Sequence, residues 1–294
     1  MAWLAGVVTS FVIRPGYERR VGGRVRERLP WPEPTAQSPQ WSVRYAVSAY
    51  VITFVGVLVL AAVLYFGLGV QLHIGVGGLV VDAILLGSLV PLKLKHRLTG
   101  RDLGLRAVPA ARSVGLVILA FVAYVLVTGL WVAVVHPREG VDALADVKHE
   151  SAINVALTVF QVAVSAPLVE EIFFRGLLYR SLRNRLALLP AALIAGAMFG
   201  LVHITSYPLD TLPVKAAFGV IACLLYERTG SLLPGIALHS FVDASSIDVS
   251  LTGNDLIVLG SFLCLAVVLF VRGSRPSATV SSRPIQFAGT SGSP

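Results

Sequence analysis

Two adjacent carboxylates lie in an otherwise apolar stretch of the chain, which reads APLVEEIFFRGLLYR over residues 166–180. Ionised side chains are rare inside membrane helices, and those present commonly mark a functional path. Glu171 and Arg175 are four residues apart, so they share a helix face and can form an ion pair. Glu170 points about 100° away from Glu171. We therefore expect Glu170 to address other helices, and Glu171 with Arg175 to support its own helix.

Two further polar groups follow along the chain. His203 comes four residues after Phe199 in FGLVH, and His239 and Asp243 are four residues apart in HSFVD. A carboxylate and two imidazoles can hold a water molecule and accept its proton, as a general base does. Alternatively, Glu170, His203 and His239 could ligate a Zn²⁺ ion and leave one position open for water. The residues alone leave both chemistries open.

Each cluster taken singly also fits a purely structural role. A Glu–Arg pair can join helices, and one intramembrane histidine can be a hydrogen-bonded packing residue. Asp82, in GGLVVDAILL, is a further intramembrane acid with no partner motif, so we expect it to be structural or lumen-facing and outside the site. Three clusters on three late helices are harder to explain by packing, because each adds a desolvation cost.

The composition indicates the setting in which these groups act. The chain has 294 residues, of which 55% are hydrophobic and 14% charged, with a net charge of +8. A soluble domain carries about 25% charged residues, so we predict a polytopic helical membrane protein. The basic residues lie between apolar runs, which fits membrane orientation better than nucleic-acid binding. Cys223 and Cys264 sit in apolar runs and suggest neither a disulfide framework nor a zinc–thiolate site.

Apolar runs of spanning length predict an all-α transmembrane bundle of about eight spans. The distribution of basic residues places both termini in the cytoplasm. A fourth helix that continues to about residue 182 brings Glu170 toward the middle of the bilayer, at the depth where His203 can reach it. The predicted spans are 45–69, 74–92, 114–135, 152–182, 187–206, 214–226, 232–249 and 255–272.

The three clusters, EEIFFR at 170–175, FGLVH at 199–203 and HSFVD at 239–243, resemble in order and character the motifs of the CPBP family. This family, also called Abi, comprises CAAX prenyl-protease-like and bacteriocin-processing intramembrane proteases. Its pattern is Glu-Glu-x-x-x-Arg, then Phe-x-x-x-His, then His-x-x-x-Asn or Asp. The resemblance covers roughly residues 150–250, whereas the first three spans carry no diagnostic motif.

The resemblance implies peptide-bond hydrolysis within the membrane. Glu170 and His203 would polarise the attacking water, while His239 and Asp243 would support the oxyanion or complete a polar cage. Glu171 and Arg175 would brace the helix, and Phe199 belongs to the supporting set. An ionised Asp243 cannot donate to an oxyanion, so it must be protonated, orient His239 or bind a metal.

The same resemblance divides the chain into functional segments. Residues 150–250 would be the CPBP-like protease core, preceded by three accessory transmembrane helices at 45–135 and followed by a final span at 255–272. From composition and charge, we expect residues 1–44 to be a basic, cytoplasmic N-terminal segment and residues 273–294 to be a disordered tail.

We expect an intramembrane endopeptidase of a bacterial cell membrane that cleaves a membrane-associated peptide or protein. Either zinc or no cofactor is required, so the glutamate and metallo types both stay open. The alternative is an ion-coupled transporter, or a non-catalytic membrane adaptor that keeps the motifs as polar contacts between helices. No repeat relates the first four spans to the last four, which argues against transport.

Overall fold

Helices account for all the regular structure that the computed structural model describes, which covers residues 41–137 and 150–251. No strand occurs in these two ranges, so the predicted all-α class is confirmed. In chain order, the helices are α1 (Val43–Gly67), α2 (Ile74–Gly87), α3 (Val90–His96), α4 (Ala110–Val135), α5 (Ala152–Arg183), α6 (Leu188–Leu201), α7 (Leu212–Thr229) and α8 (Leu233–Leu251).

Five of the described segments are long and apolar enough to cross a membrane. The predicted sixth and seventh spans are the helices α7 and α8, but α7 carries three charged residues and α8 includes His239 and Asp243. The predicted eighth span, 255–272, lies outside the described residues. The chain is therefore an integral membrane protein, whereas eight spans and cytoplasmic termini stay predictions. The five segments are Val43–Gly67, Ile74–His96, Ser113–Val135, Ala152–Arg183 and Leu188–Thr205.

Helix α5 is the centre of the bundle, and its 32 residues make it the longest of the five candidate spans. The helix widens into π-helical turns at Gln161–Ser165 and Glu171–Tyr179, a geometry often found at functional sites. It passes through Pro167, which lacks an N–H donor, directly after the first wide turn. Residues 171–182 are all buried, so this part of α5 has no lipid-facing side. The continuation to Arg183 confirms the predicted long fourth helix.

Small residues bring α6 and α7 into backbone contact. A Cβ atom added at Gly196 would lie 2.7 Å from the carbonyl oxygen of Ala216, and one added at Gly219 would lie 2.7 Å from the Cα atom of Gly196. Such close approach is the usual way in which membrane helices gain packing energy. It fixes the face of α6 that carries Phe199 against the face of α7 that carries Phe218, with ring centroids 5.8 Å apart.

The loop between α3 and α4 docks against the end of α5 and the start of α8. Gly104 adopts a left-handed conformation with φ of 101°, which favours glycine, and its carbonyl accepts a hydrogen bond from the Leu232 N–H at 2.9 Å. A Cβ atom at Gly176 would lie 2.7 Å from the carbonyl oxygen of Leu103. These contacts set where α8 begins, and therefore where the side chains of its first turns lie relative to α5.

Candidate active site

A buried ion pair stands at the centre of the site. The Nη1 atom of Arg175 lies 2.9 Å from Oε1 of Glu171, and both residues are fully buried, as the four-residue spacing predicted. Arg175 also donates from Nη2 to the carbonyl of Gly219 at 3.2 Å, and its guanidinium lies 4.6 Å from the centroid of the Phe199 ring. Arg175 thus joins α5 to α6 and α7 while it neutralises the Glu171 charge.

The Glu171 carboxylate fits because α8 has a glycine next to it. A Cβ atom added at Gly235 would lie 2.8 Å from Oε2 of Glu171, which is closer than real Cβ contacts. Gly235 is in the first turn of α8, where unpaired backbone N–H groups favour a negative charge. Sequence reasoning missed this glycine, because only the tertiary approach of α8 to α5 reveals its role.

His239 connects the first and third clusters. Its Nδ1 atom lies 3.3 Å from Oε1 of Glu171, and its Nε2 atom lies 3.3 Å from Oδ2 of Asp243 and 3.8 Å from Oε2 of Glu170. Only 4% of the residue is exposed. Both ring nitrogens face carboxylate oxygens, so an imidazolium with a proton on each nitrogen suits this position.

Glu170 keeps one carboxylate oxygen free of hydrogen bonds. Its Oε2 atom is buried, and within the part of the chain that the structure describes, no group donates a hydrogen bond to it. The nearest cationic partner is the His239 Nε2 atom at 3.8 Å, which exceeds hydrogen-bond distance. Glu170 therefore retains the capacity to accept a proton or to hold a water molecule.

His203 sits in a 3₁₀ turn, Val202–Thr205, which directly follows α6. Its Nδ1 atom lies 2.8 Å from the carbonyl oxygen of Phe199. A carbonyl oxygen only accepts hydrogen bonds, so Nδ1 must carry the proton in this contact. The Nε2 atom of a neutral ring is then an acceptor, available to a water molecule.

One cavity joins the second and third clusters. The space available for the centres of water molecules is about 10 Å³, which is roughly what one ordered water needs. His203, His239 and Asp243 all line it, and Glu170 lies beside it in contact with His239. The other lining residues are Tyr124, Phe199, Lys215, Phe218 and Val242.

Helix lengths explain why these groups meet. Glu170 lies 13 residues before the end of α5 (183 − 170), and His203 lies 15 residues after the start of α6 (203 − 188). At 1.5 Å per residue, both lie about 20 to 23 Å above the connection between the two helices. The long α5 therefore gives Glu170 and His203 similar distances from the α5–α6 connection, whereas their depth in the bilayer stays a prediction.

Two lining residues, Tyr124 on α4 and Lys215 on α7, carry no motif and were missed by sequence reasoning. The one sequence signal that could have indicated that α7 contributes to the site is Lys215, a lysine within an apolar run.

Asp82 lies outside the cavity lining, as expected, but it has a partner that the sequence did not reveal. The Ser165 hydroxyl donates to its Oδ2 atom at 2.7 Å, so Asp82 joins α2 to α5.

The zinc alternative has no preformed ligand group in the described residues. No three His, Cys, Asp or Glu side chains within 41–137 and 150–251 are arranged as metal ligands. His239 lies 3.8 Å from Glu170 and shares a cavity with His203, but we derive no step through a metal from these three residues. Zinc dependence stays a prediction that metal analysis can test.

A scan against protein families matches residues 152–245 to the family described as type II CAAX prenyl endopeptidase Rce1-like. The matched segment runs from the start of α5 into α8 and contains all three polar clusters. Searches of curated proteins and of solved structures find no match. The match favours the protease prediction over the transporter and adaptor alternatives. Over residues 152–245, about a third of the chain, the match supports the resemblance to the CPBP, or CAAX prenyl-protease-like, family of intramembrane endopeptidases.

Proposed function

We propose that this protein hydrolyses a peptide bond of a membrane-associated peptide or protein, using a water molecule activated by Glu170 and His203. One observation carries the proposal. His239 contacts the Glu170 carboxylate and also lines, together with His203, a cavity with room for one water. An acceptor, His203, and a hydrogen-bond donor, His239, thus border the same small space, and the base Glu170 lies next to the donor.

Glu170 is the general base in this proposal. Its free Oε2 atom accepts the proton of the water as the oxygen attacks the scissile carbonyl carbon, and then gives that proton to the leaving amine nitrogen as the C–N bond breaks. The His203 Nε2 atom accepts the second hydrogen bond of the water and so directs a lone pair of the oxygen toward the substrate. The Phe199 carbonyl holds the tautomer that this role requires.

His239 stabilises the tetrahedral oxyanion through its Nε2–H, which is shared between the developing charge and Asp243, the residue that positions the ring. An ionised carboxylate cannot itself donate to an oxyanion, whereas an imidazolium can. The 3.3 Å approach of Asp243 Oδ2 to His239 Nε2 supports the orienting role among those that the sequence left open. Glu171, 3.3 Å from the other ring nitrogen, holds the opposite side of the imidazole.

The proposed mechanism uses no metal, because the donors in the described ranges do not form a ligand group. Zinc remains the competing hypothesis for this step. Metal analysis of the purified protein, together with turnover measured before and after treatment with a chelator, distinguishes the two. We expect unchanged turnover after chelation, and activity that is lost with the metal and restored by Zn²⁺ would overturn the metal-free mechanism.

Substitution of the two water-binding residues tests the proposal directly. We expect Glu170→Gln and His203→Asn each to lower the turnover of a fluorogenic, membrane-presented peptide by a factor of about 100 or more. Glu227→Gln is the matched control, because Glu227 is a partly buried acid on α7 that pairs with Arg183 and lies outside the cavity. Turnover per folded molecule, with folding checked by size-exclusion chromatography, should change little in this control. Undiminished turnover in either site variant contradicts the assignment.

A further inference from the structure

Lys215 is a half-buried cation that the proposed mechanism does not use. It lies in the first turn of α7, and its Nζ atom is 4.2 Å from the centroid of the Tyr207 ring. None of the ion pairs among the described residues joins Lys215 to a carboxylate. An intramembrane cation is costly and usually has an anionic partner or a functional role.

The position of Lys215 indicates what that role is. Its side chain lines the same cavity as His203 and His239, so an anion bound to it would lie beside the water-activating groups. Asp243 also lines this cavity and its charge acts on Lys215, but its Oδ2 atom contacts His239 at 3.3 Å and forms no direct ion pair with the lysine, which also contacts Tyr207. The ammonium group therefore keeps donors for a ligand, since a lysine has three.

We propose that Lys215 is the subsite for a carboxylate of the substrate; this inference rests on the proposed function. A lysine acts as a compact point charge, which suits a single carboxylate on a flexible peptide. The cavity holds about one water but opens outward, so a carboxylate can approach Lys215 from the open side. The carboxylate can belong to the C-terminus of the peptide or to an acidic side chain.

The subsite determines which bond is cleaved. A carboxylate held at Lys215 anchors one end of the substrate peptide next to the cavity. A peptide bond a few residues away along the substrate then lies beside the attacking water. The aromatic rings of Tyr124 and Phe218 are in edge-to-face contact at 5.4 Å and border the same space. These rings provide an apolar environment, in which the attraction between the Lys215 ammonium and a substrate carboxylate is stronger than in water.

Three matched peptides and three variants test this subsite. The peptides share one sequence and end in a free carboxylate, in an amide, or in an amide with one acidic residue placed near the end. The variants are Lys215→Met, Lys215→Arg and, as control, Lys95→Met, which removes an exposed lysine at the end of α3. Steady-state kinetics of the full chain in liposomes give kcat and KM for each combination.

We expect the KM of the unmodified protein to be lower for a carboxylate peptide than for the amide by a factor of about ten or more. A tenfold difference corresponds to the weaker end of the free energies found for hydrogen bonds to charged groups. Lys215→Met should remove this preference, because kcat/KM should fall more for the carboxylate peptide than for the amide. Lys215→Arg should keep most of it, and Lys95→Met should match the unmodified protein. Preference for the terminal or for the internal carboxylate identifies which source the subsite binds.

Two results would overturn the subsite. One is the absence of any carboxylate preference in the unmodified protein, and the other is an equal loss of kcat/KM for acid and amide peptides in Lys215→Met. The second result would mean that Lys215 acts on the charge of Asp243 or on folding. Binding of the same peptides to the Glu170→Gln variant separates this inference from the proposed function. A carboxylate preference in binding that depends on Lys215 supports the subsite even if Glu170 is not the base.

Discussion

Gly235→Ala is the substitution whose effect follows most directly from the geometry. The added Cβ atom would lie 2.8 Å from Oε2 of Glu171 and 3.4 Å from its Cδ atom. Reaching ordinary van der Waals contact at 3.4 Å requires the oxygen to move by about 0.6 Å (3.4 − 2.8). The carboxylate cannot move freely, because it is held at 2.9 Å by Arg175 and at 3.3 Å by His239.

The change in the free energy of unfolding caused by Gly235→Ala is the sum of two opposing contributions. Overpacking a tightly packed interior costs about 1–3 kcal/mol. Replacing a helical glycine by alanine gains about 0.5–1 kcal/mol through backbone entropy. The net expectation is a destabilisation of about 1–2 kcal/mol. For a chain of this size, that corresponds to an apparent Tm lower by about 2–8 °C.

The assay is thermal unfolding of the purified protein in detergent, followed by tryptophan fluorescence, with peptide turnover measured in parallel. Gly115→Ala is the matched control, because a Cβ atom added at Gly115 in α4 meets nothing within 4 Å. We expect an unchanged or slightly higher Tm for the control, and for Gly235→Ala a lower Tm together with reduced kcat. In a Glu171→Ala background, Gly235→Ala should cost little more, since its clash partner is gone. Equal behaviour of the two glycine variants would refute the contact on which the argument rests.

Two further substitutions test the polar framework of the site. Arg175→Met should destabilise the protein by about 3–5 kcal/mol and reduce folded yield, because it leaves the fully buried Glu171 without its partner. A normal yield and Tm would show instead that Glu171 is protonated or that another group compensates its charge. Asp243→Asn should lower kcat about 10- to 100-fold with little change in KM or folded yield, since His239 loses the carboxylate that orients its ring. A raised KM with unchanged kcat would instead place Asp243 in substrate binding.

Helical spacing was sufficient to predict the local geometry of the site. The four-residue separations correctly paired Glu171 with Arg175 and His239 with Asp243, because neighbours on one helix face are set by the chain itself. The long run of apolar residues likewise predicted a continuous α5. Similar distances of Glu170 and His203 from the α5–α6 connection then followed from residue counts, whereas their depth in the bilayer stays a prediction.

Contacts between helices that are distant in sequence were beyond this reasoning. The approach of His239 to Glu171 depends on where α8 begins, which the docked loop around Gly104 and the absence of a side chain at Gly235 determine. The π-helical turns of α5 have no simple sequence signature, so the 100° angle assumed between adjacent residues does not hold uniformly along it. Lys215 and Tyr124 were missed because neither belongs to a motif.

The complete enclosure of residues 171–182 bears on how mutational surveys of this protein are interpreted. A stretch in contact with neighbours on every side tolerates few replacements, whatever its chemistry. Leu177, Leu178 and Tyr179 are as fully enclosed as Glu171 and Arg175, so growth-based or abundance-based scoring would rank all five as equally indispensable. Intolerance to substitution therefore cannot identify the reacting groups in this stretch. Only turnover per correctly assembled molecule can separate them.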